Sequence, residues 1–155
     1  MKRFKWKLQR VLDIKAQHEQ AIRNDLFALA QTIAGVREEI LKRRTMLRTL
    51  LEELGKRRPG DRLPDQVIFM QFSGVEERQI ERLGARLKEL EARRAEKQEQ
   101  FLAVRSMCKV LKRLRAEARQ QHMQEVGKRE QLTFDESAHI AFARKPSPRP
   151  TPVFQ

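Results

Sequence analysis

Tyrosine is absent from this 155-residue chain, tryptophan and cysteine occur once each, and aromatic residues make up only 6%. With 39% hydrophobic against 35% charged residues, the chain has enough apolar material for a seam between helices but not for a compact interior. The lone Cys108 excludes an internal disulfide and suits a reducing compartment. Its plainest role is that of a small apolar residue in a helix seam. The longest apolar run, residues 26–30, falls far short of the roughly 20 residues of a membrane span. The basic N-terminus MKRFKWKLQRVLDIK lacks the uncharged core of a signal peptide, so a cytoplasmic chain is expected.

Catalytic and metal-binding patterns are missing as well. His18, His122 and His139 have neither an i, i+4 histidine nor a neighbouring cysteine, and no glycine-rich phosphate loop or nucleophile motif occurs. His18 and His122 fall on helix-seam positions, where packing explains them better than metal ligation. Glutamates such as Glu76, Glu77, Glu81, Glu89, Glu91, Glu96 and Glu99 are interspersed with arginines, as on a solvated, ion-paired helix face. The expectation is a non-catalytic protein without cofactor or metal.

What the chain does have is helix-forming composition. Alanine, glutamate, lysine, leucine and arginine fill about half of it, the mark of long helices or coiled coils. Apolar residues at Phe4, Leu8, Val11, Ile22, Leu26, Leu29, Ile33, Val36, Ile40, Leu47, Leu50 and Leu54 step by three and four. Lys15 and His18 hold that register with polar groups, and the two steps of four at His18, Ile22 and Leu26 read as a stutter that weakens the seam. The segment GKRRPGDRLP, residues 55–64, gathers two glycines and two prolines and must be a turn. Beyond it Ile80, Leu83, Leu87, Leu90, Arg94, Lys97, Phe101, Val104, Cys108, Leu111, Arg115, Ala118 and His122 alternate by three and four without interruption. That second helix begins either near Asp65 or at the capping box Ser73 and Glu76; we favour the earlier start, with Gly74 as a soft point.

The fold class expected is therefore all-α: an elongated two-helix antiparallel coiled-coil hairpin over 1–143. Helix one spans about 3–56, the turn 57–65 and the longer helix two about 66–143. At 1.5 Å per residue the arms measure about 80 and 110 Å. Folding about the turn brings Phe4 to the region of Ala118 to His122 and leaves residues from about 125 to 143 without an intramolecular partner. That overhang carries Val126, Leu132, Phe134, Ile140 and Phe142, apolar groups that await another protein or simply fray. Residues 144–155 form a proline-rich tail expected to be disordered.

Thirty-four basic against 21 acidic residues leave a net charge of +13. The excess lies toward the N-terminal arm and the turn. Lys109, Lys112, Arg113, Arg115 and Arg119 form a second basic stretch near the open end, where Lys2, Arg3, Lys5, Lys7 and Arg10 also belong, so that end should be a cationic prong. Such charge suits nucleic acid, acidic lipid or an acidic protein surface. Stacking aromatics and glycine-bracketed basic loops are missing, which makes a basic coiled coil bound to nucleic acid or the ribosome the second reading. Membrane-surface contact through Phe4, Trp6 and Leu8 is a minor one.

FKWKLQRVLDIKAQHEQ, residues 4–20, resembles the opening of the FliJ family, the small coiled-coil component of the bacterial flagellar type III export apparatus. KREQLTFDESAHIAFARKP, residues 128–146, is similar to its closing element, with Asp135 and Glu136 as an acidic pair, and Phe69-Met70-Gln71-Phe72 after the turn also fits. The resemblance implies a stalk like that of the rotary ATP synthase gamma subunit, inserted by its open end into the hexameric ring of the export ATPase FliI. It implies a second contact near the turn with the export gate protein FlhA, where Phe72 matches a position of that surface and Phe69 is taken as its neighbour, though other positions depart from the family's aromatics and histidines, with Leu83 and no tyrosine. It further implies escort of export chaperones and a place, peripheral to the membrane, on the cytoplasmic side. Read together with the charge pattern, Lys5, Lys7, Arg10, Lys109, Lys112, Arg113, Arg115 and Arg119 become the candidate ATPase contacts, on a chain expected to be monomeric when free.

Overall fold

A computed structural model describes residues 4–144. Two long α-helices account for nearly all of them: α1, Gln9–Lys56, with 48 residues, and α2, Arg62–Ala143, with 82. A single turn of 3₁₀ helix, Pro59–Asp61, separates the two. The fold is all-α with the second helix the longer, and α2 runs unbroken through Gly74, Gly84 and Gly127. Apart from Arg144, the proline-rich tail lies outside the described residues.

Local chemistry explains where the helices start and stop. Helix one was expected from about residue 3, but it begins at Gln9, and neither Leu8 nor residues 4–7 offer a side-chain cap. The first contacts of this segment are the Gln9 amide donating to the Trp6 carbonyl at 3.2 Å and the Leu12 amide to the Leu8 carbonyl at 3.1 Å. Helix two starts at Arg62 rather than 66. Pro59 opens the 3₁₀ turn and Pro64 stands in the first turn of α2, where a missing N–H costs nothing. The Arg62 guanidinium donates to the Gly55 and Arg57 carbonyls at 2.5 Å each, satisfying acceptors that the end of α1 leaves open. Ser73 caps no helix; its hydroxyl donates backward to the Met70 carbonyl at 3.0 Å.

Backbone contacts divide the chain into two compact units, residues 14–108 and the combination of residues up to Asp13 with those from Lys109 onward. In the first unit α1 and α2 lie antiparallel. Cross-helix ion pairs join Asp25 to Lys97 at 3.0 Å, Arg37 to Glu91 at 2.5 Å and Arg43 to Glu76 at 2.6 Å, and Arg57, just past the end of α1, pairs with Asp65 of α2. Partners on α2 thus come earlier in the sequence as those on α1 come later. Ile22 packs with Val104 and Cys108, with Leu26 and Phe101 alongside, and Ile33, Val36 and Ile40 of α1 and Glu76 of α2 are buried in the same unit. Phe101 is also flanked by two guanidinium groups, Arg23 at 5.7 Å and Arg105 at 5.9 Å from its ring centroid.

The expected stutter in helix one is not there. Glu19 rather than His18 is half-buried, so Lys15, Glu19, Ile22, Leu26, Leu29, Ile33, Val36, Ile40, Arg43 and Leu47 step by three and four throughout. In the second unit Leu12 is 5% exposed while Val11 stands at 42%, which corrects the seam residue there by one position. Long polar stems that half-bury at seam positions hid this register, because a reading by apolar residues alone skips them. On α2 the expected seam holds from Ile80 to His122 except at Arg94 and Arg115, both exposed.

Candidate partner-binding surfaces

The unit of residues up to Asp13 and from Lys109 onward gathers all eight basic residues singled out above: Lys5, Lys7, Arg10, Lys109, Lys112, Arg113, Arg115 and Arg119. The N-terminal segment reaches α2 through the Phe4 ring, whose centroid lies 5.4 Å from that of His122. His122 packs on an aromatic face here, in keeping with its seam position. Beside this contact two open grooves share Arg115. One, of about 400 Å³, is bordered by Phe4, Lys5, Trp6 and Gln9; the other, of about 650 Å³, runs past Leu12, Lys112, Ala116, Arg119 and Met123. Four of the eight cations therefore line grooves, of which the one beside Leu12 and Met123 has a mainly apolar floor while the one at Phe4 is about as polar as apolar. Lys7, Arg10, Lys109 and Arg113 are exposed outside them, and Arg113 is tied to Glu117 at 2.9 Å.

Beyond Val126 every described residue of α2 is exposed. Thr133 and Ser137 turn their hydroxyls back to carbonyls of the same helix, and Leu132, Phe134, Ile140 and Phe142 face solvent, Phe134 at 76%. These apolar residues point to different sides of the helix and form no single stripe.

In the unit of residues 14–108, Phe69 and Phe72 are half-buried and border a groove of about 240 Å³ with Leu50, Glu53, Leu54, Arg57, Asp65 and Ile68. Their rings face α1, so part of each is spent on the seam. More accessible groups stand close by in sequence: Leu63, Val67, Ile68 and Met70 are exposed, Met70 at 72%. Reading the chain for a seam passed these over, although Leu63, Val67 and Met70 have helical i, i+4, i+7 spacing of their own. A further apolar groove on the outer face of α1, of about 570 Å³, is lined by Leu41, Thr45, Met46, Thr49 and Leu50 with the Glu38–Lys42 pair at its edge.

Glu76, 8% exposed, is the one buried charged residue among those described, and it occupies a seam position in line with Ile80, Leu83 and Leu87. The Arg43 guanidinium donates to it at 2.6 Å and to Glu39 at 2.9 Å. The hydrogen bond to Glu76, with the charge of the same carboxylate, pushes the Arg43 pKa above its ordinary value. A permanently charged guanidinium in the seam matches a network that fixes register and supplies no proton for chemistry. Among the described residues no group of three His, Cys, Asp or Glu side chains is placed to hold a metal ion, and no helix is long and apolar enough to cross a membrane.

A family model described as "Flagellar FliJ protein" matches residues 4–147. No curated protein and no solved structure matches the chain.

Proposed function

Because the chain belongs to the FliJ family and is thus a component of the flagellar export apparatus, we propose that it acts as a stalk that binds the export ATPase FliI through its cationic unit and the export gate FlhA through the turn end of its other unit. It hydrolyses nothing itself. The observation that carries this reading is that Lys112, Arg115 and Arg119 border a groove with an apolar floor beside Leu12 and Met123, which meets the groove of Lys5 at Arg115. Cations over an apolar floor suit an acidic, shaped protein surface, which supplies both counter-charge and a side chain to fill the groove. Phosphate backbones need the charge alone, so the apolar floor speaks against nucleic acid as the partner. At the turn, Phe69 and Phe72 with their exposed neighbours offer a hydrophobic contact of the kind a gate domain would cover. The escort of export chaperones and a place at the cytoplasmic face of the membrane belong to the same reading.

The test is capture of purified FliI and of the FlhA cytoplasmic domain by the immobilised full chain, with RNA as competitor. Arg115→Glu combined with Arg119→Glu should weaken FliI capture about tenfold or more while leaving FlhA capture intact. RNA binding that falls steeply with salt, with no capture of either protein, would replace this reading by the nucleic-acid one.

A further inference from the structure

From Leu26 to Val36 α1 carries no charged residue, the longest such run in either helix. Leu26, Leu29, Ile33 and Val36 of this run take its inner side into the seam. On the outer side Phe27 stands 66% exposed, Gln31 and Ala34 follow it, and Leu41 is 64% exposed. Phe27, Ala34 and Leu41 are spaced by two helical turns each and so lie in one line along the helix. Gly35, beside Ala34, has open space where a Cβ would stand, so the middle of the line is low and unobstructed. At its far end Leu41 borders the groove of about 570 Å³ on the outer face of α1, a recess wide enough to receive a ring.

Charge and symmetry together say what covers this face. From Glu19 to Arg43 the acidic residues are Glu19, Asp25, Glu38 and Glu39 and the basic ones Arg23, Arg37, Lys42 and Arg43, equal in number. Each is ion-paired within the chain: Glu19 with Arg23, Asp25 with Lys97, Arg37 with Glu91, Glu38 with Lys42, and Glu39 with Arg43. A chain of net charge +13 therefore has a neutral stretch here, with no spare charge to select an oppositely charged partner. A second copy, repelled by the cationic surfaces elsewhere, meets no unpaired like charge on this face. The line is also its own complement. A two-fold contact requires that residue i meet j while j meets i, and Phe27 and Leu41 stand at equal distances on either side of Ala34. With the axis at Ala34, two antiparallel α1 helices bring Phe27 of each copy to Leu41 of the other, at both ends of the contact. We propose that the unit formed by residues 14–108 self-associates through this face as a two-fold pair. The side chains involved cover on the order of a few hundred Å² per copy, below the roughly 1,200 Å² in total of a stable interface, so the pair forms at high concentration and the dilute chain is monomeric. The inference goes beyond the export reading and does not rest on it.

Sedimentation equilibrium of the full chain from about 5 to about 500 µM tests it, because so small an interface places the dissociation constant in or above the micromolar range. Monomer at the low end and dimer at the high end are expected. Added salt should favour the dimer by screening the repulsion between two cationic chains, the opposite of its effect on a contact between opposite charges. Phe27→Asp and Leu41→Asp, both at exposed positions and checked for unchanged helicity by circular dichroism, should each raise the dissociation constant about tenfold or more. Ala34→Cys stands on the axis, so a short bismaleimide should join two copies of that variant, whereas Gln17→Cys, exposed on α1 outside the face, should stay single. The unsubstituted chain is the control, its Cys108 being 1% exposed. A chain that is monomeric over the whole range would overturn the proposal. So would a dimer that both aspartate variants leave unchanged or that salt dissociates, or equal cross-linking of the two cysteine variants. Loss of FlhA capture by the aspartate variants of a chain that never dimerises would give the face to a different protein. FliI and FlhA capture are read on the dilute chain, so failure of the pairing and failure of the export reading are separate results.

Discussion

Residues 14–108 and the unit assembled from the two ends of the chain are built from the same kind of sequence and spend it differently. In the former, helix faces helix along its whole length, apolar residues are buried at heptad spacing, three ion pairs reach from α1 to α2, and a fourth reaches α2 from Arg57 in the turn. In the latter, Phe4 meets His122, Leu12 is buried, Leu111 and Ala118 are half-buried, and beyond Val126 nothing on α2 is covered. Among its described residues one ion pair appears, Arg113 with Glu117 along a single helix. Some of the charge in the first unit ties α1 and the turn to α2, whereas no described ion pair in the second unit crosses between helices. A heptad pattern therefore does not by itself produce burial. Burial requires a second helix to face it.

The largest test of this contrast lies in the paired unit. Ile33 is 2% exposed, and Ile33→Ala removes its side chain with little chance of collapse around the gap. Thermal or urea unfolding should show a loss of about 2–5 kcal/mol. A loss below about 1 kcal/mol would mean that the seam is not packed as described.

A smaller but more diagnostic effect is expected at the buried ion pair. Glu76→Arg places two guanidinium groups together in the seam, and Arg43→Glu adds a third carboxylate to Glu39 and Glu76. Each should lower the unfolding midpoint, and the double exchange should recover most of the loss, although Glu39 then faces a carboxylate. Independent effects that simply add would show that the two residues do not act as a pair. The Arg43 pKa is raised in the folded state, so its contribution is fully present below the unfolded-state value and fades only as pH rises through the folded one. Both lie in strong alkali. The Arg43 protonation contribution therefore stays constant across neutral pH.

Much of this arrangement was legible in the residues. Two helices, a proline and glycine turn, the greater length of the second helix and the meeting of Phe4 with His122 follow from spacing and from the breakers at 55–64. The seam of α2 was readable because leucines mark it, whereas that of α1 before Ile22 was not, because Lys15 and Glu19 bury their stems while Val11 stays outside. The cationic cluster was readable from topology alone, since an antiparallel pair brings the N-terminus to the later part of α2. The grooves between those cations were not, because they depend on which of Lys112, Arg113, Arg115 and Arg119 flank Leu12 and which point away. The exposed stripe at Leu63, Val67 and Met70 was hidden by its neighbour: when Phe69 and Phe72 attract attention, the helical face beside them is easily taken for part of the same core.

The smallest effect is the sharpest statement of the contrast. Phe134 is larger than Ile33 and in a packed core would cost about 3–5 kcal/mol when cut to alanine. At 76% exposure it has little burial to lose, so Phe134→Ala should change stability by no more than about 0.5 kcal/mol in dilute solution. The expected near-zero result turns on partner availability rather than on residue type. If a protein covers this end of α2 during export, the same substitution should be silent in the isolated chain and visible in capture by that protein. A destabilisation of several kcal/mol in the isolated chain would show instead that residues 127–143 already have a partner within it, and the distinction between a zipped unit and an open one would no longer hold.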